Sequence, residues 1–285
     1  NHDTQSLEYY VSSLFKLDSP KPKVIMLDEM LKAPKLLQII FTRLTLERCV
    51  GDKKLPKGSI VFATSNNSSD GVGDSMLAHA GNRVCRLVME KPNANTWLKW
   101  ASNNNISKVI MAWVALVPRC LHSYLDGDQT DNPYIFNPKK AGQLSFVSPR
   151  SLAKASAIVD VRDKLGENAT LCALAGTIGE SAARDMSAFL DIEKQLPSFD
   201  DVLKSPKTVK VPDAPSAILM LMFQAVDYLK TQDDMSSFME FVKRVASSEL
   251  QAIFFSIAFN HSNLVRLARN NNEMKEWAKN NHVLM

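Results

Sequence analysis

Residues 23–29 read Lys-Val-Ile-Met-Leu-Asp-Glu, a short apolar run that stops at two adjacent carboxylates, Asp28 and Glu29. An unbroken apolar run of this length, followed at once by helix-forming sequence, predicts a buried parallel strand and so an α/β fold. In open α/β sheets, ligands gather at the carboxyl ends of the parallel strands. Two acids at that edge are costly to desolvate unless a cation or a reaction needs them. A divalent cation with a nucleoside triphosphate meets the need, one acid holding Mg²⁺ and the other polarising a water. The plainer alternative is a strand running into the acidic first turn of a helix, which the helix macrodipole also favours.

The next segments carry the same logic forward. Met30 to Cys49 reads as a helix with apolar Leu36, Leu37, Ile40, Leu44 and Leu46. Gly51-Asp52-Lys53-Lys54 reads as a hairpin turn and Leu55-Pro56-Lys57-Gly58 as a second turn. Ser59 to Asn67 is then a second buried strand, ending in the polar residues Thr64, Ser65, Asn66 and Asn67. Arg83 follows in Leu77-Ala78-His79-Ala80-Gly81-Asn82-Arg83-Val84, where His79 reads as structural. Ser148-Pro149-Arg150-Ser151-Leu152 has the form of a helix start, with Ser148 as N-cap and Pro149 in the first helical position. An arginine in a first helical turn opposes the dipole, which points to an anionic partner for Arg150 elsewhere.

In order and spacing these elements resemble the AAA+ ATPases of the MoxR type, including their phage and bacterial relatives. VIMLDEM resembles Walker B, and FATSN resembles the sensor 1 strand, with Asn66 in the sensing position. LERCVGDKKLP resembles the segment ahead of sensor 1. Asn82-Arg83 resembles the arginine-finger dipeptide, although an acid is more usual where Asn82 stands, and Arg86 competes for the role. Ser148-Pro149-Arg150 resembles sensor 2. The resemblance covers roughly residues 20 to 190. It implies ATP and Mg²⁺ as cofactors, with Asp28 holding the metal, Glu29, Asn66 and Arg83 in catalysis, and Arg150 on the nucleotide. It also implies a homo-oligomeric, hexameric ring, a chaperone-like action on a protein client, and a client that carries a von Willebrand factor A domain. Plain structural readings stand beside these roles: a strand-end turn residue for Asn66, a surface ion pair for Arg83, a simple helix-start residue for Arg150.

One departure is large. The 285 residues contain no Gly-x-x-x-x-Gly-Lys-Ser/Thr loop, and Gly71-Val72-Gly73 lacks the lysine. Only 23 residues precede Val24, too few for a strand, a phosphate loop and a helix. The expectation is a chain whose first part lies upstream of Asn1; a loop lost by evolution is the alternative.

Composition fits a water-soluble, cytoplasmic protein. Apolar residues make up 45% and charged residues 22%, and the net charge of +4 comes without a basic run, so nucleic acid is not an expected partner. The longest apolar run, Val109 to Val117, falls far short of a bilayer span, and no membrane partner is expected. Cys49, Cys85, Cys120 and Cys172 form no Cys-x-x-Cys pair and read as small buried residues.

The remainder reads as helices: Trp97 to Ser102 with a cap around Asn95, Val109 to Leu125, Arg150 to about Asp163, and Asn168 to Leu190. A Pro- and Lys-rich linker spans Lys204 to Pro215. Closing helices follow at Ser216–Leu229, Met235–Ala246, Glu249–Phe259 and Ser262–Trp277. Met220, Met222 and Phe223 read as a flexible recognition surface or, the favoured reading, as a Met-rich core. The expected domains are a partial AAA+ α/β core at 1–92, a helical lid at 93–196 and a helical extension at 197–285. The expected activity is ATP hydrolysis coupled to remodelling of a partner protein. The rival readings are a non-hydrolysing AAA-like scaffold and a DNA-acting AAA+ ATPase, the latter with Lys53, Lys54 and Lys57 as its nearest basic loop.

Overall fold

The computed structural model describes residues 11–66, 84–140 and 142–281. The chain is α/β, with a small parallel sheet and many helices, and it divides into two compact units, Asn1–Met89 and Glu90–Met285. No described helix is long and apolar enough to cross a membrane.

The first unit is built on strands β1 (Val24–Leu27) and β4 (Ile60–Ala63), which pair in parallel with Val24 opposite Ile60 and Leu27 opposite Ala63. Between them lie helix α1 (Lys35–Leu46) and a hairpin of β2 (Cys49–Val50) and β3 (Lys53–Lys54). Gly51 turns the hairpin at φ 63°, a left-handed conformation that glycine adopts without steric cost. The helix is shorter than its apolar pattern predicts. A 3₁₀ turn at Met30–Lys32 precedes it, and Pro34 opens it at the N-cap. Gln38, buried in α1, donates from Nε2 to the carbonyls of Leu31 (3.0 Å) and Ala33 (2.9 Å), which fixes this turn to the helix.

The expected burial of both strands is corrected. They pair in parallel, but Val24, Met26, Ile60 and Phe62 share one face and are 72%, 52%, 57% and 44% exposed. The other face, with Ile25, Leu27 and Val61, is half-buried. An apolar run reports that a strand can be covered on both sides; only packing decides whether it is.

The second unit is helical, and its centre is two helices that are apolar all round: α3 (Lys108–Leu116) and α9 (Pro215–Tyr228). They pack against each other, and Lys108 pairs with Asp227 at 3.3 Å alongside. Around them stand α2 (Ala94–Ser102), α4 (Pro149–Asp160), α5 (Arg162–Leu165), α6 (Glu167–Ile178), α7 (Glu180–Glu193), α8 (Phe199–Lys204), α10 (Gln232–Val242), α11 (Ser248–Asn260), α12 (Val265–Asn270) and α13 (Asn272–Asn280). Residues 93–196 and 197–285 therefore share one core, since α9 also packs against α7, α8 and α11. Met220, Met222 and Phe223 are fully buried in it, as the core reading requires.

Several helix limits differ from the periodicity. The run 109–125 is α3 plus a 3₁₀ turn at Pro118–Leu121, because proline cannot continue a helix. The cap of α2 is Asn93, not Asn95; its side chain accepts from the Thr96 N–H at 2.9 Å. The run 168–190 breaks at Gly179, which adopts φ 88°, ψ 156°, a conformation open essentially to glycine. A Cβ there would lie 3.1 Å from the Ser145 carbonyl oxygen. The run 262–277 breaks at Asn271, which caps α13 by accepting from the Met274 N–H. The cysteine reading is also corrected: Cys120 is buried, whereas Cys49 is half-buried and Cys85 and Cys172 are exposed. Burial pushes the Cys120 thiol up to about 12, against the opposing pull of the Lys91 ammonium, so this thiol is unreactive.

A polar network ties the connection after α3 to the helices. The Tyr134 hydroxyl donates to Asp185 Oδ2 at 2.7 Å, and Trp113 Nε1 donates to the same oxygen at 3.3 Å. Burial raises the Tyr134 pKa above its ordinary 10.0, and the Asp185 carboxylate raises it further; Arg119, 5.4 Å from the ring centroid, opposes them. The folded protein thus holds this proton more tightly than the unfolded chain. The stabilisation is intact below pH 10.0 and is lost as pH rises from there through the folded pKa. Tyr134→Phe is therefore expected to make stability fall less steeply above that pH. Urea midpoints for both proteins at neutral and alkaline pH check this, and equal alkaline losses would exclude Tyr134 as the cause.

Candidate functional site

The carboxyl ends of β1 and β4 stand side by side in the first unit; Asp28 and Glu29 follow directly on β1, and Asn66 lies three residues beyond the end of β4. The strand pairing continues past the last paired residues. Thr64 N–H donates to the Leu27 carbonyl at 3.0 Å, and Met30 N–H donates to the Thr64 carbonyl at 3.0 Å. Thr64 Oγ1 donates to Asp28 Oδ1 at 2.5 Å, and the Glu29 N–H reaches the same hydroxyl at 3.4 Å.

These bonds hold Glu29 in a left-handed conformation, φ 52° and ψ 38°. For a residue with a Cβ that conformation costs about 1–2 kcal/mol, so it persists only where the surroundings impose it. It turns the chain sharply between the two carboxylates. Both acids are exposed. Glu29 Oε2 pairs with Lys32 Nζ at 2.7 Å across half-exposed side chains, an ion pair of the kind that contributes little to stability and separates readily. Asp28 Oδ2 has no partner among the described residues. Asn66 lies past the end of β4, which stops at Ala63 rather than running to Asn67, and its side chain is exposed.

A site of one or two carboxylates with water and phosphate oxygens suits Mg²⁺, which is rarely caged by protein alone. Asp28, oriented through one oxygen and open at the other, fits that role. Three or more metal-binding side chains do not cluster among the described residues.

The other expected residues lie elsewhere. Arg83, with Asn82 and His79, falls outside the described residues. Arg86 is exposed in the first unit. Arg150 belongs to the second unit, where it is exposed in the first turn of α4. The capping box there is complete: Ser148 Oγ accepts from the Ser151 N–H at 3.1 Å, and Ser151 Oγ accepts from the Ser148 N–H at 2.8 Å.

Sequence reasoning missed Thr64, Lys32 and Gln38. Thr64 stood within the FATSN segment, but a hydroxyl at a strand end carries no sign of the acid it will meet 36 residues away. Comparisons with protein-family models, with curated proteins and with solved structures found no match for this chain.

Proposed function

We propose that the protein is an ATP-hydrolysing AAA+ subunit of the MoxR type, acting in the cytoplasm as a homo-oligomeric, hexameric ring that remodels a partner protein, with a von Willebrand factor A domain protein as the client class. The observation that carries this reading is the shared edge of β1 and β4, where Asp28 and Glu29 follow β1 and Thr64, just past β4, orients Asp28. Two adjacent acids and an amide at the carboxyl ends of neighbouring parallel strands form the arrangement that triphosphate hydrolysis uses.

In this reading Asp28 would hold Mg²⁺, directly or through water, and a bound ion would supply positive charge beside the phosphates. Glu29 releases Lys32 and takes the proton of the attacking water. Asn66 fixes that water or the terminal phosphate. Arg83 reaches the nucleotide of the neighbouring subunit, and Arg150 couples the helical unit to the phosphates. Hydrolysis changes the angle between the parts of the subunit, and that motion acts on the client. The reading requires a phosphate-cradling loop outside residues 1–285.

Mixing mutant subunits tests it. Arg83→Ala rings and Glu29→Gln rings are each expected to be inactive. Mixed rings should recover part of the ATP turnover, because some interfaces draw Arg83 from one subunit and Glu29 from the other. Mixed rings that form, as judged by tagged-subunit pull-down, yet stay inactive would rule out the shared site.

A further inference from the structure

Outside the acidic edge, the chemistry of the second unit points to a different ligand. A hollow of about 480 Å³ opens between the start of α10 and the short helix α12. Lys230 and Gln232 line it from one side, and Asn263, Arg266 and Asn270 from the other, over the apolar side chains of Leu229 and Leu267. Arg266 and Asn270 are four residues apart on one helix and so share a face. Gln232 Nε2 donates to the Leu267 carbonyl at 3.1 Å, which joins the two walls.

Among the described residues no carboxylate lines this hollow, although acids are nearly as common as bases in the chain. The acids nearby are committed or turned elsewhere. Asp234 caps α10 by accepting from the N–H groups of Lys230 and Thr231 at 3.0 and 2.8 Å. Asp227 pairs with Lys108. Asp233 is not part of the lining. Among the described residues the side chains of Lys230 and Arg266 have no hydrogen-bond or ion-pair partner. The Asn270 side chain is equally unengaged, and the Asn263 amide nitrogen donates to nothing. Two cations and two amides thus converge with their donors unused.

We propose that this hollow is an anion site that takes the phosphate group of a small phosphorylated molecule. Lys230 and Arg266 match the two charges of a phosphate monoester, and the guanidinium fork can engage two of its oxygens at once. The asparagine amides add neutral donors, and the leucines offer an apolar surface to the rest of the ligand. The site is independent of the roles assigned to Asp28 and Glu29.

The test uses inorganic phosphate and the ¹⁵N-labelled full chain, titrated at constant ionic strength and followed by NMR. Saturable shifts at the amides of Lys230, Gln232, Arg266 and Asn270 are expected. Lys230→Gln and Arg266→Gln, both at exposed positions, should each weaken phosphate binding by about tenfold or more, the scale of a charge-assisted hydrogen bond. Lys210→Gln, at an exposed lysine outside the lining, should bind as the parent does. Acetate tests whether a carboxylate serves as well, and it should bind at least about tenfold more weakly than phosphate. Shifts that grow without saturating, or that survive Arg266→Gln unchanged, overturn the proposal. Acetate binding as tight as phosphate overturns the assignment to phosphate.

Discussion

Glutamine in place of Glu29 is expected to leave Mg²⁺-ATP binding intact and to slow turnover by roughly 10²-fold or more, the scale of a lost general base. The substitution keeps the size of the side chain and removes its basicity. Its cost to the fold is small, because the Glu29–Lys32 pair is half-exposed and sequence-local. The left-handed backbone at Glu29 is imposed by main-chain bonds to Thr64, not by the carboxylate, so the turn survives the change. The measurement compares ATP affinity and steady-state hydrolysis in protein that carries its phosphate loop. Hydrolysis within a few-fold of the parent, with binding preserved, would remove Glu29 from the reaction.

Phe238→Ala is the second large effect, and it concerns how the helical unit coheres. Phe238 in α10 is fully buried. Its ring lies 5.1 Å from Phe199 of α8, 5.8 Å from Phe241 and 4.9 Å from Phe254 of α11. The series continues through Phe255 to Trp277 of α13, stacked at 3.8 Å, and through Phe199 to Tyr228 of α9 at 4.6 Å. Truncating such a ring to alanine removes its burial and leaves a cavity, at a cost of about 3–5 kcal/mol. For a unit of this size that lowers the thermal midpoint by roughly 6–20 °C. Because α9 packs against α3 and α7 as well as α11, the loss should appear in one cooperative transition of residues 90–285. Tryptophan fluorescence divides the probes usefully, with Trp97, Trp100 and Trp113 on one side of residue 196 and Trp277 on the other. Separate transitions for the two sets would mean that the parts melt independently.

These two cases differ in what the sequence could show. The acids at 28 and 29 stand where an apolar run stops, so their position at the end of β1 is legible from local pattern, whereas β4 stops at Ala63, short of the expected Asn67. The parallel pairing of those strands agrees with the α/β reading. The turn at Gly51 and the cap at Ser148 were legible for the same reason, since each is decided by residues within a few positions. Helix breaks were read less well. Gly179 and Asn271 sit inside apolar patterns that continue across them; Gly179 lies against the Ser145 carbonyl, and Asn271 Nδ2 donates to Ser236 Oγ, neighbours that are distant in sequence.

The sequence by itself determined that Asp28 and Glu29 follow the first strand, where the tight turns fall, and that the second half of the chain is helical, because these follow from side-chain period, steric limits on φ and short-range capping. Tertiary structure alone decided that Thr64 grips Asp28, that one sheet face with Val24 and Phe62 stays exposed, and that helices on both sides of residue 196 close around a single core. Each of those depends on which surfaces meet across tens of residues, and neither periodicity nor local propensity encodes that choice.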